Sequence, residues 1–175
     1  DEAVKTYAPY TTTELSRAIT GYLNAQITAG AECVQLFDSW VGCLSPSDYQ
    51  RYVFPHVKSI FDGLDKRVPS IHFGTGNPSL YPLMKAAGGD VIGVDWRVDL
   101  DTEWNRLGDV GLMGNLDPSY LLAPREVMFA EAKRILDQAK GRPGHIFNLG
   151  HGIMPEASVA NVRALVDFVH EASAR

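Results

Sequence analysis

The sequence is poor in several features that mark specialised chains. Its 175 residues hold two cysteines, Cys33 and Cys43, without CxxC spacing. That is too few for a disulfide scaffold and fits a reducing, cytoplasmic compartment. No apolar run approaches the ~20 residues of a membrane-spanning helix. The acidic start, Asp1-Glu2, is not that of a signal peptide. Basic charge is not in excess either: 16 Lys and Arg stand against 21 Asp and Glu, for a net charge of -5. Without a basic block, a nucleic-acid surface is not expected. The five histidines, His56, His72, His145, His151 and His170, show neither HxxxH nor HExxH spacing, so no metal site is expected. Fixed-period repeats and low-complexity linkers are missing, and residues 1–175 are expected to form a single domain.

What is present is apolar material, 45% of the chain, in alternating helix-like and strand-like blocks. Residues 1–13 read as a loop. Thr11 and Glu14 form a capping-box pattern before Leu15, Ile19, Leu23 and Ile27 on one helical face, and Gly30 is the stop signal. Residues 33–37 make a short strand. Ser45-Pro46-Ser47-Asp48 is a strong helix start, followed by a stripe of Val53, Val57, Ile60, Phe61 and Leu64 that Pro55 should kink. Strands are then expected at 69–73, 91–94, 110–113 and 145–149, and helices at 80–87, 100–107 and 124–139. In the last of these Val127, Ile135 and Leu136 should face inward. A final helix carries Val162, Leu165, Val166 and Val169. Strands alternating with helices across short connections predict an α/β fold with a parallel sheet buried on both sides. Two architectures fit: an open doubly wound sheet of flavodoxin type, or part of a TIM (βα)8 barrel with about five βα units.

Polar and glycine residues gather just after every strand. They read Asp38-Ser39-Trp40, Gly74-Thr75-Gly76-Asn77, Asp95-Trp96-Arg97, Gly114-Asn115-Leu116-Asp117 and Asn148-Leu149-Gly150-His151-Gly152. Either architecture brings these clusters to one edge of the sheet. Any solvated turn is polar, but Trp40 and Trp96 among these residues suit a ligand better than water. The partial G-x-G at Gly74 to Asn77, with Asp95 about twenty residues on, leaves open a nucleotide or adenosylmethionine site. Against that, the third glycine is missing and Pro78 stiffens the turn. His56 and His170 read as surface residues, and His72 and His145 as strand histidines with satisfied hydrogen bonds. His151, between two glycines beyond the last strand, is a ligand-facing candidate. Ser39 lies in no G-x-S-x-G elbow, so it reads as a hydroxyl donor rather than a nucleophile.

Four segments together resemble the uroporphyrinogen decarboxylase family: Ala31 to Trp40, Val91 to Arg97, Gly114 to Pro118 and Phe147 to Gly152. Order and spacing agree from about Thr11 to the C-terminus. Related cobalamin- or thiol-dependent methyltransferases of the same fold typically carry a cysteine where this chain has His151. The resemblance implies a TIM barrel and a cytoplasmic homodimer that works without a cofactor. The family acts in porphyrin (haem) biosynthesis. As a lyase, it removes the four acetate carboxylates of uroporphyrinogen III to give coproporphyrinogen III. It further implies substrate contacts from Ser39 and His151, with Arg97 adding charge at the rim. The family's arginine-rich loop, its pyrrole-binding aspartate and a substrate-contacting tyrosine have no counterpart here. The chain therefore reads as a fragment carrying strands four to eight of such a barrel, inactive alone and without an assigned catalytic residue of its own.

Overall fold

The structure, a computed structural model, describes residues 2–174, with side chains from Thr12 onward. Helix α1 spans Glu2–Thr28. It runs straight through Thr11, so the expected loop and helix start there are corrected. A Thr-x-x-Glu sequence caps a helix only where the chain upstream leaves helical geometry, and here it does not. Within α1 the hydroxyls of Ser16 and Thr20 bond back to the carbonyls of Thr12 and Ser16. Leu23 and Ile27 are buried as expected, but Leu15 is exposed. It lines a groove beside Phe37 and Tyr52 at the free edge of the first strand.

Strand β1, Val34–Asp38, leads to the helix start anticipated at Ser45, whose hydroxyl accepts from the Asp48 N–H. The helix comes in three pieces: α2 (Pro46–Asp48), a π-helical turn (Tyr49–Val53) and α3 (Phe54–Asp62). Pro55 has no N–H to give the preceding turn, and the widened turn just before it is the form the expected kink takes. Then follow β2 (Ser70–Gly74), a 3-10 turn, α4 (Tyr81–Ala87), β3 (Val91–Gly93) and α5 (Leu100–Leu107). The chain closes with β4 (Gly111–Met113), α6 (Arg125–Ala139), β5 (His145–Ile146) and α7 (Val159–Ser173). Strand β5 is shorter than expected, with only an isolated bridge from Leu116 to Leu149 beyond it. Val127 and Val166 are about half exposed, contrary to their expected inward placement, whereas Ile135 and Leu165 are buried.

All five strands are parallel, in the order β1-β2-β3-β4-β5. A doubly wound sheet reverses its strand order at a switch point, and this one does not. Successive right-handed crossovers in one direction put every helix on the same face, and α3 to α7 pack side by side in chain order. The expectation of helix cover on both faces is therefore corrected. The main core lies under the helices, built on Ile92, Val94, Leu112, Leu116, Met128 and Ile135. The other face holds a small cluster of Ile71, Phe73 and Met113. Phe37 (67%) and Ile146 (40%) flank it, exposed. A one-sided, sequentially ordered arc of βα units is what part of a TIM barrel looks like.

Candidate functional site at the strand ends

The five polar clusters meet at the C-terminal edge of the sheet and hold one another loop by loop. Thr75 Oγ1 donates to the Ser39 carbonyl at 2.8 Å, and Asn77 Nδ2 to the Leu44 carbonyl at 2.9 Å. The turn after β1 lies so close to that after β2 that a Cβ on Gly42 would come within 2.7 Å of the Gly76 Cα.

Asp95 ties the next loops together. Fully buried, it accepts through Oδ2 from the Gly76 N–H (2.7 Å) and from Arg97 Nη1 (2.6 Å). Its Oδ1 accepts from the Arg97 N–H at 3.0 Å. Asn115 Nδ2 donates to the carbonyls of Asp95 and Val98. The Asp95 N–H reaches the hydroxyl of Tyr81, a phenol whose pKa is pushed up by burial and then by the Asp95 charge. The last loop is joined on by the Gly150 N–H, 2.7 Å from the Leu116 carbonyl. At Gly150 a Cβ would meet the Trp96 N at 2.7 Å, so only glycine lets this loop lie against the β3 loop.

His151 sits where the ends of the arc approach. Its ring centroid is 6.5 Å from that of Trp40 and 6.3 Å from that of Trp96, both edge-to-face. Nδ1 accepts from the Gly152 N–H at 2.7 Å, so in the neutral ring the hydrogen is on Nε2, a donor. Arg97 stacks its guanidinium over Trp96, 4.2 Å from the ring centroid, with its side chain 46% exposed. The Ser39 carbonyl is engaged by Thr75, but its hydroxyl has no hydrogen-bond partner among the described residues. Trp40 is 84% exposed, so the rim is open rather than enclosed.

Sequence reasoning picked out these loops and left Asp95 open as the acid of a nucleotide site. Its carboxylate is spent on Gly76 and Arg97 and is not free for a ribose. The helix after the G-x-G turn, α4, has only seven residues. A nucleotide or adenosylmethionine site there is not favoured. The rim-tying roles of Tyr81 and Asn115 went unseen, because nothing in a one-dimensional pattern shows which loops touch. Among the described residues no three His, Cys, Asp or Glu side chains group to hold a metal ion, and no helix is long and apolar enough to cross a membrane. A cavity of about 580 Å³ lined by Lys85, Asp90, Trp104 and Arg142 lies at the opposite end of the sheet. There Lys85 is bonded to the Leu107 carbonyl and Arg142 to Asn105.

Sequential parallel strands with their helices on one face and a polar, tryptophan-flanked rim at their C-terminal ends are those of a protein of the βα-barrel class. Within this class the chain belongs to the uroporphyrinogen decarboxylase (URO-D) family, whose profile matches residues 12–172. It is 55% identical over 162 residues to the uroporphyrinogen decarboxylase of Carboxydothermus hydrogenoformans, covering 91% of this chain and 46% of that protein. It is 52% identical over 159 residues to that of Sorangium cellulosum, covering 90% of this chain and 46% of the relative. The chain thus spans about half the length of the curated relatives it matches. A methyltransferase from Methanosarcina mazei shares the fold, with a TM-score of 0.78 at 23% identity over 89% of this chain and 47% of that one.

Proposed function

We propose that the protein carrying these residues is a uroporphyrinogen decarboxylase, and that this chain supplies one side of its substrate rim. The reaction removes each acetate carboxylate of uroporphyrinogen III as carbon dioxide and leaves a methyl group, giving coproporphyrinogen III. A pyrrole protonated at a ring carbon accepts the electron pair of the breaking C–C bond. Carbon dioxide leaves, and a second proton on the side-chain carbon completes the methyl, while the ring carbon gives its proton back. The protein must hold a polyanionic macrocycle and favour the transient positive charge on the ring. His151 Nε2–H and the free hydroxyl of Ser39 are donors suited to carboxylates, and the outward face of Arg97 adds positive charge beside them. Trp40, exposed on the rim, offers flat apolar surface to the ring, and Trp96 lies beside His151 with Arg97 stacked on it. The groups that would stabilise the ring cation are expected outside this stretch. A cofactor-free homodimer in the cytoplasm accompanies this reading.

The carrying observation is the relatives' identity of 50% or more together with His151 flanked by two tryptophans on the rim. In the full-length protein, His151→Ala should lower the rate of coproporphyrinogen formation about 100-fold, in the range for loss of a positioned donor, with little change in the thermal melt. A wild-type rate would remove His151 from the site. A wild-type protein inert towards uroporphyrinogen would overturn the function.

A further inference from the structure

Below the rim, on the helix-covered face, lies a buried polar group that the proposed reaction does not use. In the register Leu36 pairs with His72, which makes Asp38 and His72 diagonal neighbours on adjacent strands. His72 is fully buried, with Phe61 tilted against its ring at 5.0 Å. Its Nδ1 is 3.1 Å from the Met84 carbonyl. A carbonyl only accepts, so the hydrogen of the neutral ring belongs on Nδ1 and Nε2 is a bare acceptor. Yet Nε2 faces Asp38 Oδ2 at 3.6 Å, and both atoms are buried without a hydrogen-bond partner. Two lone pairs confronting each other inside a protein repel. One proton between them, with a small approach, turns the repulsion into a charge-assisted hydrogen bond.

Among the described residues no donor meets either atom. The Tyr49 hydroxyl is buried and makes no hydrogen bond, and its titration is pushed up by burial and then by the Asp38 charge, so it stays a neutral phenol. Tyr52 and His56 line the groove on the outer side of Asp38, and His56 Nε2 is already paired with Thr12 Oγ1.

We propose that Asp38 and His72 share a proton between Oδ2 and Nε2, and that this buried pair positions the Ser39–Trp40 turn of the substrate rim. Asp38 is the last residue of β1. Fixing its carboxylate to β2 sets the direction in which the chain leaves the sheet, and the Thr75 bond to the Ser39 carbonyl sets the next peptide. The pair acts through Ser39 and Trp40, so these are positioning residues. Only the kinetic part of the inference rests on the tetrapyrrole reading.

The test uses full-length protein labelled with [15N]histidine, the His72 resonances being assigned by their loss in His72→Gln. Near neutral pH both ring nitrogens of His72 should show protonated shifts. In Asp38→Asn the amide can donate to Nε2, so the fold should be kept while Nε2 reverts to an unprotonated acceptor. Asp38→Ala, which leaves Nε2 alone, should raise KM for uroporphyrinogen about tenfold with a smaller change in kcat, and Asp38→Asn should restore most of it. An unprotonated Nε2 in the wild type, or a His72 spectrum indifferent to Asp38→Asn, overturns the shared proton. An unchanged KM in Asp38→Ala overturns the positioning role. Failure of the wild type to turn over uroporphyrinogen would strike the proposed function and leave the nitrogen measurement standing.

Discussion

Asp95 shows how one side chain can organise a rim assembled from several loops. It is a fully buried carboxylate whose charge is met by Arg97 and by two backbone N–H groups. Burying such a group is costly unless its lone pairs are satisfied, and here three donors satisfy them. Asp95→Asn keeps the shape, removes the charge and presents an amide donor to Arg97 or Gly76. It should destabilise the full-length protein by about 2 kcal/mol, a typical cost of leaving buried polar groups mismatched. The midpoint of urea unfolding measures this, and an unchanged midpoint would mean the network is not under load. The sequence already drew attention to Asp95, Ser39, Arg97 and His151, because charged and small polar residues just past apolar strands are conspicuous. It could not say that Asp95 is turned inward onto its neighbours while His151 is turned towards two tryptophans. That distinction lives in contacts between loops far apart in the chain.

At the scale of elements, most helices and strands were legible because their periodicity and punctuation agree. Ser45 caps and Pro46 opens a helix as written, and Leu100–Leu107 is a helix as expected. The failures are physical. Thr11 and Glu14 carry a capping pattern inside a continuing helix, and the half-exposed Val127 and Val166 show that apolar residues need not face the core. Strand β5 is the shortest of the sheet, formed by His145 and Ile146 alone. His145 helps fasten it: Nε2–H donates to the Gly114 carbonyl at 3.0 Å, joining β5 to the loop after β4. Burial holds the His145 imidazole below its ordinary pKa, only partly offset by that hydrogen bond. The unfolded chain therefore binds this proton more readily than the folded one. Stability should fall as pH drops through the ordinary histidine value, about 6.5, and level off below the folded value. His145→Gln should flatten part of that acid limb in unfolding measured between pH 7 and 5. A limb of unaltered slope would contradict the buried neutral state.

At the scale of the molecule, strand order settles what composition left open. A parallel sheet in sequential order with all its helices on one face is an arc of barrel, and the flavodoxin-like alternative would need a reversal that is absent. The polar loops after the strands did not separate the two, since either architecture gathers them at one edge of the sheet; only the strand order does. The two edges of the sheet also differ in chemistry: Trp40 and Trp96 stand with His151 at the C-terminal edge, while Trp104 is buried at the opposite edge with its indole N–H on the Val110 carbonyl.

That separation allows a direct measurement with no turnover required. Full-length protein carrying fluorotryptophan, its signals assigned by single Trp→Phe substitutions, can be titrated with coproporphyrin III and followed by 19F NMR. Ring currents from a macrocycle seated between the first and last loops should shift the Trp40 and Trp96 resonances strongly and leave Trp104 nearly still. A bound porphyrin that moves Trp104, or leaves Trp40 and Trp96 where they were, would place the tetrapyrrole elsewhere on the protein.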